Sequence, residues 1–408
     1  MDIAFCSMLL PEEKNLAARA KKRLPGISVH KVARALINGL DANLDQPVRI
    51  FNIINTLNYP NFPDLIFHTE KWQHVPDAED LHIGYVNLIG IKYITQAWGL
   101  FRKLDHWRKN SQDDNCVVCV HHIYFPMMLA AWMLKRKYKD KVTICLITGD
   151  MTGKYGLVSQ SKPNLKRRLA TILEAAIDKL AQKFDCFVFA TKYMAEALGV
   201  SHKPFVVLEC TYTDPNYSRP CETQPVEENE KIIFYAGALR SEYGIDHLLR
   251  AFSMIEDPDY RLWLAGGGNS EETIRKYAAE DPRIVYLGFI TPEEVESRQR
   301  RATALISPRT SEHTYVKYSF ASKNMEGLAS GKPYIGHKLP CDPPEYDGHI
   351  LYARDESDEA LRDKIVEICE LSQEERDAIG AKARKFILEE KNPKAMCKRI
   401  VEMWSPNP

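Results

Sequence analysis

No stretch of this 408-residue sequence stays apolar for long. The longest such run, IYFPMMLAAWML, is interrupted by Pro126 and falls short of the roughly 18 residues that cross a bilayer as a helix, which excludes a bundle of spanning helices. An excess of one charge is lacking too. Lys plus Arg and Asp plus Glu each number 55, so no global field draws the chain to nucleic acid or to an anionic surface, and any such contact has to be local. The amino end, MDIAFCSMLL, lacks the positive region of a secretory signal and runs directly into a charged helical pattern, which leads to the expectation of a cytoplasmic protein. Repeats and low-complexity tracts are missing, and the ten cysteines fall mostly inside apolar strands, as reduced core residues do. Cys116 and Cys119, with His121 and His122 close behind, have the residue types of a metal site. Positions three apart on a strand point to opposite faces, however, so the two thiols cannot share one ion.

What is present is an alternation. Short β-rich runs (DIAFCS, VRIFNIIN, DLIFHT, CVVCVHH, VTICLIT, CFVFAT, FVVLEC) fill the first half, and helical patterns such as LAAWMLKRKY and TKYMAEALG separate several of them. The second half repeats the style with IIFYAG, RLWLAG, IVYLGF, ALISP, PYIGH and HILYA. Such alternation predicts βαβ units and mostly parallel sheets, and the length suits two domains. DPNYSRPCETQPVEENEK (214–231) has no apolar period and reads as the linker between two doubly wound lobes. The last helix is expected over about 373–404.

In open parallel sheets, ligands sit beyond the carboxyl ends of strands, so polar residues just past each strand are the ones to weigh. In the first lobe these are His121 and His122, then Thr148, Gly149 and Asp150. In the second lobe, Gly237 and the cluster Gly266 to Gly268 permit close approach of backbone to a diphosphate. YSFASKNMEGLASGKPYIG (318–336) is the richest segment. It predicts a helix from near Ser322 to just before Gly331, stopped by Gly-Lys-Pro. Met325, Leu328 and Ala329 form its apolar arc, and Ser322, Lys323 and Glu326 share the arc beside it. First-turn amides together with Lys323 suit a diphosphate. Glu326, roughly 6 Å further along, suits a ribose. The same residues also fit an ordinary solvated helix end, and Phe289 with Ile290 fit the plain end of a strand.

The segment resembles the donor-site signature of family 4 glycosyltransferases of the GT-B fold, in which two Glu residues separated by seven others precede a small-residue helix end and Gly-x-Pro. It is most similar to the bacterial capsular and exopolysaccharide branch, written there as Pro-Arg, then Tyr-Ser-Phe-Pro-Ser-Lys, then Glu-Tyr-Leu-Ala-Ser-Gly. Here Pro308-Arg309, YSFASK (318–323) and EGLASG (326–331) stand in those places. IIFYAGALRSEYGIDHLLRAF, RLWLAGGG, RIVYLGFITPEEV and LPCDPPEYDGHILY look like further donor-domain segments, and CFVFATKYMAEALGV and KPFVVLECTYTDP like the end of an acceptor domain. The likeness runs from about 117 to 365. Departures accompany it. Tyr318 stands where the first Glu belongs, Ala238 and Tyr243 stand where many relatives carry Arg and Lys, Ala321 replaces a Pro, and Gly327 replaces an aromatic.

The resemblance implies an α/β protein of GT-B architecture, with two doubly wound Rossmann-like domains facing across a cleft. Residues 1–215 would form the acceptor domain, residues 216–385 the donor domain, and a terminal helix over about 386–408 would pack back on the first. It further implies a retaining, metal-independent glycosyltransferase of the hexosyltransferase type. Such an enzyme moves a sugar from a nucleotide diphosphate donor, expected to be a UDP-sugar, to a saccharide or lipid-linked saccharide in surface polysaccharide biosynthesis, without a cofactor. The catalytic residues implied are Asp150, Lys323 and Arg240. Donor binding falls to Gly237, Arg240, Gly266, Phe289, Ile290, Arg309, Ser322, Lys323 and Glu326, with Phe289 and Ile290 against the base. His121, His122 and Asp150 would face the acceptor. The patterns at 94–110 and 162–184, with Leu169, Ile172, Leu173, Ala176, Ile177 and Leu180 on one stripe of the second, suit either sheet-covering helices or peripheral contact with the inner face of a membrane. A nucleotide-sugar epimerase and a non-catalytic partner subunit are the alternative functions.

Overall fold

The computed structural model describes residues 1–10, 27–151, 165–213 and 230–405. The charged pattern expected after the amino end, nearly all of the 214–231 linker and the start of the 162–184 pattern lie outside the described residues. The chain divides into two compact units, one of residues 1–211 with 393–408, the other of residues 212–392.

In the first unit, the described strands are β1 (Ile3–Ser7), β2 (Arg49–Asn52), β3 (Ile66–Phe67), β4 (Glu70–Trp72), β5 (Asp80–His82), β6 (Tyr85–Val86), β7 (Cys116–His121), β8 (Val142–Thr148), β9 (Cys186–Phe189) and β10 (Phe205–Val207). The helices are α1 (Ile27–Asp41), α2 (Ile91–Asn110), α3 (Phe125–Tyr138), α4 (Leu165–Ala181) and α5 (Tyr193–Leu198). The main sheet runs β10-β9-β8-β7-β1-β2-β5-β4, parallel except for β4. Its strands are continuous apolar runs because helices cover both faces, and β1 and β7 are buried along their whole length. Pro126 falls in the first turn of α3, where its missing N–H costs no hydrogen bond. The run DLIFHT departs from the expected parallel pattern. Ile66–Phe67 instead pairs antiparallel with Tyr85–Val86 in a separate two-stranded sheet, leaving Ile66 exposed. All nine described cysteines are free thiols, with Cys119, Cys145, Cys186 and Cys397 in one core.

The second unit comprises β11 (Lys231–Ala238), α6 (Ile245–Ser253), β12 (Tyr260–Gly267), α7 (Glu271–Glu280), β13 (Ile284–Gly288), α8 (Pro292–Arg301), β14 (Ala304–Ser307), α9 (Ser322–Ala329), β15 (Tyr334–Gly336), β16 (Leu351–Tyr352), α10 (Asp358–Cys369) and α11 (Gln373–Glu390). Its six strands are all parallel, in the order β13-β12-β11-β14-β15-β16. The helix expected over 373–404 is two helices. Pro393 has no N–H to donate and disfavours helical backbone at Asn392, so α11 ends at Glu390 and α12 (Pro393–Trp404) starts afresh. Met396, Cys397, Ile400 and Trp404 of α12 join the core of the first unit, beside Leu36, Ile37 and Leu40 of α1.

Each main sheet reverses its winding once. The reversal lies between β1 and β7 in the first unit and between β11 and β14 in the second, which marks the two places where a ligand is expected.

Candidate functional site

At the reversal in the second unit lies a cavity of about 290 Å³, lined from β11, β14, α8 and the start of α9. Its floor is sheet, from Phe234, Tyr235, Leu305 and Ile306, and its polar wall holds Ser307, Arg309, Ser319, Ser322, Lys323 and Glu326.

Arg309 is placed by a chain of local necessities. The short turn Ser241–Tyr243 ends at Gly244 with φ +80°, where a Cβ would stand 2.0 Å from the Pro308 carbonyl oxygen. Only glycine combines that φ with that approach. The close approach sets the Arg309 guanidinium over the rings of Tyr243 and Tyr315, at 5.6 and 4.8 Å from their centroids. Tyr315 is itself tied by its hydroxyl, which donates to the Glu242 carbonyl at 2.9 Å. Arg309 is only 7% exposed, its Nη1 donates to the Ser319 carbonyl at 3.2 Å, and its Nε has no partner. Among the described residues, no carboxylate pairs with it. A buried guanidinium held by two tyrosines and a backbone carbonyl, with no carboxylate beside it, is chemically suited to an anion.

The helix α9 completes the wall. Ala321 at its N-cap offers no side-chain acceptor, so the first-turn amides are not capped from within. Lys323 and Glu326 are half exposed and stand 3.6 Å apart, one turn of the helix from each other. A Cβ on Gly237 would lie 3.2 Å from the Lys323 side chain, so the end of β11 approaches the first turn of α9 closely. Gly327 makes room as well, since a Cβ there would come within 2.1 Å of the Tyr334 ring. Gly327, noted as replacing an aromatic of the resembling branch, lies against the aromatic Tyr334 of β15, whose hydroxyl donates to Asn324 Oδ1 at 3.0 Å.

Arg309, Ser322, Lys323 and Glu326 thus come together around one cavity, with Gly237 adjoining. Arg240, Gly266, Phe289 and Ile290 do not line it. Arg240 stands near the Glu242 carboxylate, Nε to Oε2 3.7 Å. Gly266, at φ +128°, lets β12 pass the Gly237 carbonyl, and the amide of Gly268 is already taken by Glu271 Oε1 at 3.0 Å. Phe289 is 86% exposed, with one ring edge over Gly267. Tyr235, Ser307, Ser319 and Gln299 also line the cavity and were not singled out from the sequence, and Tyr243, noted there only as a departure from the family pattern, lines it too. Ser307 was within reach of sequence reasoning, as the polar residue closing the apolar run ALIS. The others depended on tertiary folding.

At the reversal in the first unit, Ser7 Oγ lies 3.4 Å from His121 Nδ1, and the His121 and His122 rings stand 4.1 Å apart. Burial holds the His121 imidazole well below its ordinary range, and the neighbouring His122 adds to this. Burial lowers His122 too, against the opposing pull of Asp150. His122 adopts φ +75°, unusual for a residue with a Cβ, and its Nε2 is buried without a partner. Asp150 is exposed in a turn held by Thr148, whose hydroxyl donates to the Asp150 carbonyl at 2.7 Å. Leu169 lies outside the residues whose side chains are described, and Ile172 and Leu173 on the same stripe are exposed on α4.

Residues 222–386 match the family described as Glycosyl transferases group 1. An uncharacterized glycosyltransferase of Methanocaldococcus jannaschii is 25% identical over 114 residues, which is 27% of this chain. The match spans about 28% of that relative's length. Among solved structures, sucrose-phosphate synthase from Thermosynechococcus elongatus superposes with a TM-score of 0.59 at 15% identity, covering 99% of this chain and 98% of its own. A lipopolysaccharide outer core galactosyltransferase in its apo form gives 0.60 at 13%, covering 98% and 100%. The Anabaena protein HepE in complex with UDP gives 0.59 at 11%, covering 99% of each chain. At such identities the likeness establishes the fold, which is GT-B.

Proposed function

We propose that this protein is a glycosyltransferase that transfers a sugar from a UDP-sugar to a hydroxyl of a saccharide or lipid-linked saccharide, with retention of configuration and without a metal ion. The observation that carries the reading is Arg309, a buried guanidinium with no carboxylate partner among the described residues, opening on a cavity at the winding reversal of a glycosyl transferases group 1 domain. The galactosyltransferase and the UDP complex among the structural neighbours support a nucleotide-sugar donor.

As the bond from the anomeric carbon to the diphosphate breaks, its electron pair stays on the leaving phosphate oxygen, and negative charge grows there. Arg309, Lys323 and the first-turn amides of α9 offset that charge, with Arg309 held in place beforehand by its two tyrosines. Glu326 accepts hydrogen bonds from the ribose hydroxyls. On the acceptor side, Asp150 takes the proton of the attacking hydroxyl, and His121 and His122 orient the sugar. Arg240, close to the Glu242 carboxylate and outside the cavity lining, adds positive charge near the diphosphate.

Calorimetry with UDP, paired with a screen of nucleotide sugars for transfer, tests this reading. The parent chain is expected to bind UDP and to transfer from at least one donor. Absence of UDP binding would favour the partner-subunit alternative, and conversion of a donor with no acceptor present would favour the epimerase.

A further inference from the structure

The helix α2 carries apolar residues on two faces, one buried and one exposed. Its buried face carries Lys92 and Gln96 along with Ala97, Leu100 and Leu104, while Ile91, Ile94 and Trp98 stand at i, i+3 and i+7 on the face turned to solvent. Ile94 is 70% and Trp98 54% exposed. The patch does not stop at the helix. Ile89, just ahead of it, is 78% exposed, and Leu88 accepts the Lys92 amide at 2.9 Å, which folds the loop against the first turn. Ile66 of β3 lies opposite Val86 of β6, and the Asn87 amide donates to the Leu65 carbonyl at 2.7 Å, so the small antiparallel sheet brings Leu65 and Ile66 alongside Leu88. Two separate sequence segments thus bring exposed apolar side chains to neighbouring backbone, and Trp98 packs at 5.6 Å from Phe101.

A soluble surface seldom leaves so many large apolar side chains together without an occupant. The charges around the patch identify its kind. From Leu88 to Leu104 the sequence holds no acid at all. Arg102 is exposed one turn beyond Trp98 on the same face, and Lys103 is less exposed and about 140° round the helix from Trp98; neither has an ion-pair partner among the described residues. The next acid, Asp105, is already held by Lys109 and Lys137. Asp64, ahead of β3, and Glu70, after it, are the acids on the sheet side. Isoleucines flanked by an aromatic residue and an exposed, unpaired cation match the interface of a bilayer, where apolar groups enter the acyl boundary and cations meet anionic headgroups.

We infer that the face built from β3, the loop at Leu88–Ile89 and the outward side of α2 docks on an anionic membrane surface. The inference is independent of the donor-site reading, because docking needs neither nucleotide nor turnover. It names a different surface from the stripe of α4.

The experiment is flotation of the full chain with phosphatidylcholine vesicles, with and without phosphatidylglycerol, alongside UDP calorimetry and thermal unfolding on every variant. The parent is expected to float with the anionic vesicles and far less with the neutral ones. Ile89→Glu with Ile94→Glu should lower the bound fraction about tenfold or more. Arg102→Glu should reduce the preference for phosphatidylglycerol and its sensitivity to salt, whereas Lys103→Glu, off this face, should change both far less. UDP binding and the unfolding midpoint should stay at the parent's values. A parent chain that stays at the bottom of the gradient overturns the inference. So does equal flotation of the Ile89 and Ile94 variant, or loss of flotation only on Ile172→Glu with Leu173→Glu. A parent dimer that the Ile89 and Ile94 substitutions split, with vesicle binding unchanged, would assign the face to a second copy and overturn it as well.

Discussion

A guanidinium buried without a carboxylate is an energetic burden until an anion arrives, so residues of this kind couple function to stability in opposite directions. Arg309→Met is expected to weaken UDP binding by about 30-fold to 160-fold, the size of one charge-assisted contact of roughly 2–3 kcal/mol, while leaving the unfolding midpoint equal or higher. Calorimetry and thermal denaturation of the same preparation check both halves. A lower midpoint with unchanged UDP affinity would make Arg309 a structural residue. Lys323→Ala, at a half-exposed position, should cost about tenfold or more in turnover with little change in stability, and Glu326→Ala about tenfold in UDP affinity. His74 governs stability in the first unit. Burial alone would lower its pKa, but hydrogen bonds from its ring to Asp41 and Asp80, at 3.0 and 2.7 Å, prevail and raise it to about 9. The folded protein therefore holds a proton that the unfolded chain loses above about pH 6.5. That stabilisation is fully present below pH 6.5 and disappears as pH rises through 9. Urea titrations should show the parent losing up to about 3 kcal/mol across this window relative to His74→Gln.

At the scale of elements, α9 and β15 share a space that only one large ring can fill. A Cβ on Gly327 would press on the Tyr334 ring, so Gly327→Ala is expected to destabilise by about 2 kcal/mol despite alanine's better helix propensity. In a Tyr334→Ala background, the same change should become neutral or favourable, and a double-mutant cycle by chemical denaturation measures the difference. The elements were largely legible from the chain: alternating apolar runs and helical periods announced the parallel strands, and Gly-Lys-Pro announced the end of α9. Two readings failed for physical reasons. Pro393 divides what looked like one terminal helix, and Ile66–Phe67 pairs antiparallel, which two residues of alternating pattern could not reveal.

For the molecule as a whole, ligand linkage and metal removal give the remaining tests. UDP at about a hundred times its Kd should add roughly 2.7 kcal/mol to stability, read as a raised unfolding midpoint, and the Arg309→Met variant should show little of that gain at the same concentration. A chelator should leave sugar transfer unchanged, and loss of transfer restored by a divalent cation would overturn the metal-independent reading. The alternation of strand and helix, the two-part organisation and the polar arc of Ser322, Lys323 and Glu326 could be read from the chain alone, because periodicity and helix-end chemistry are local properties. Whether a charge finds a partner is not local. Arg240 and Arg309 are alike in sequence, each a few residues beyond a strand. Folding brings Arg240 to Glu242 and leaves Arg309 between two tyrosines, facing the cavity beside α9. In the same way, α2 carries apolar residues on two faces, and only its packing decides which face is covered and which is left to meet a partner.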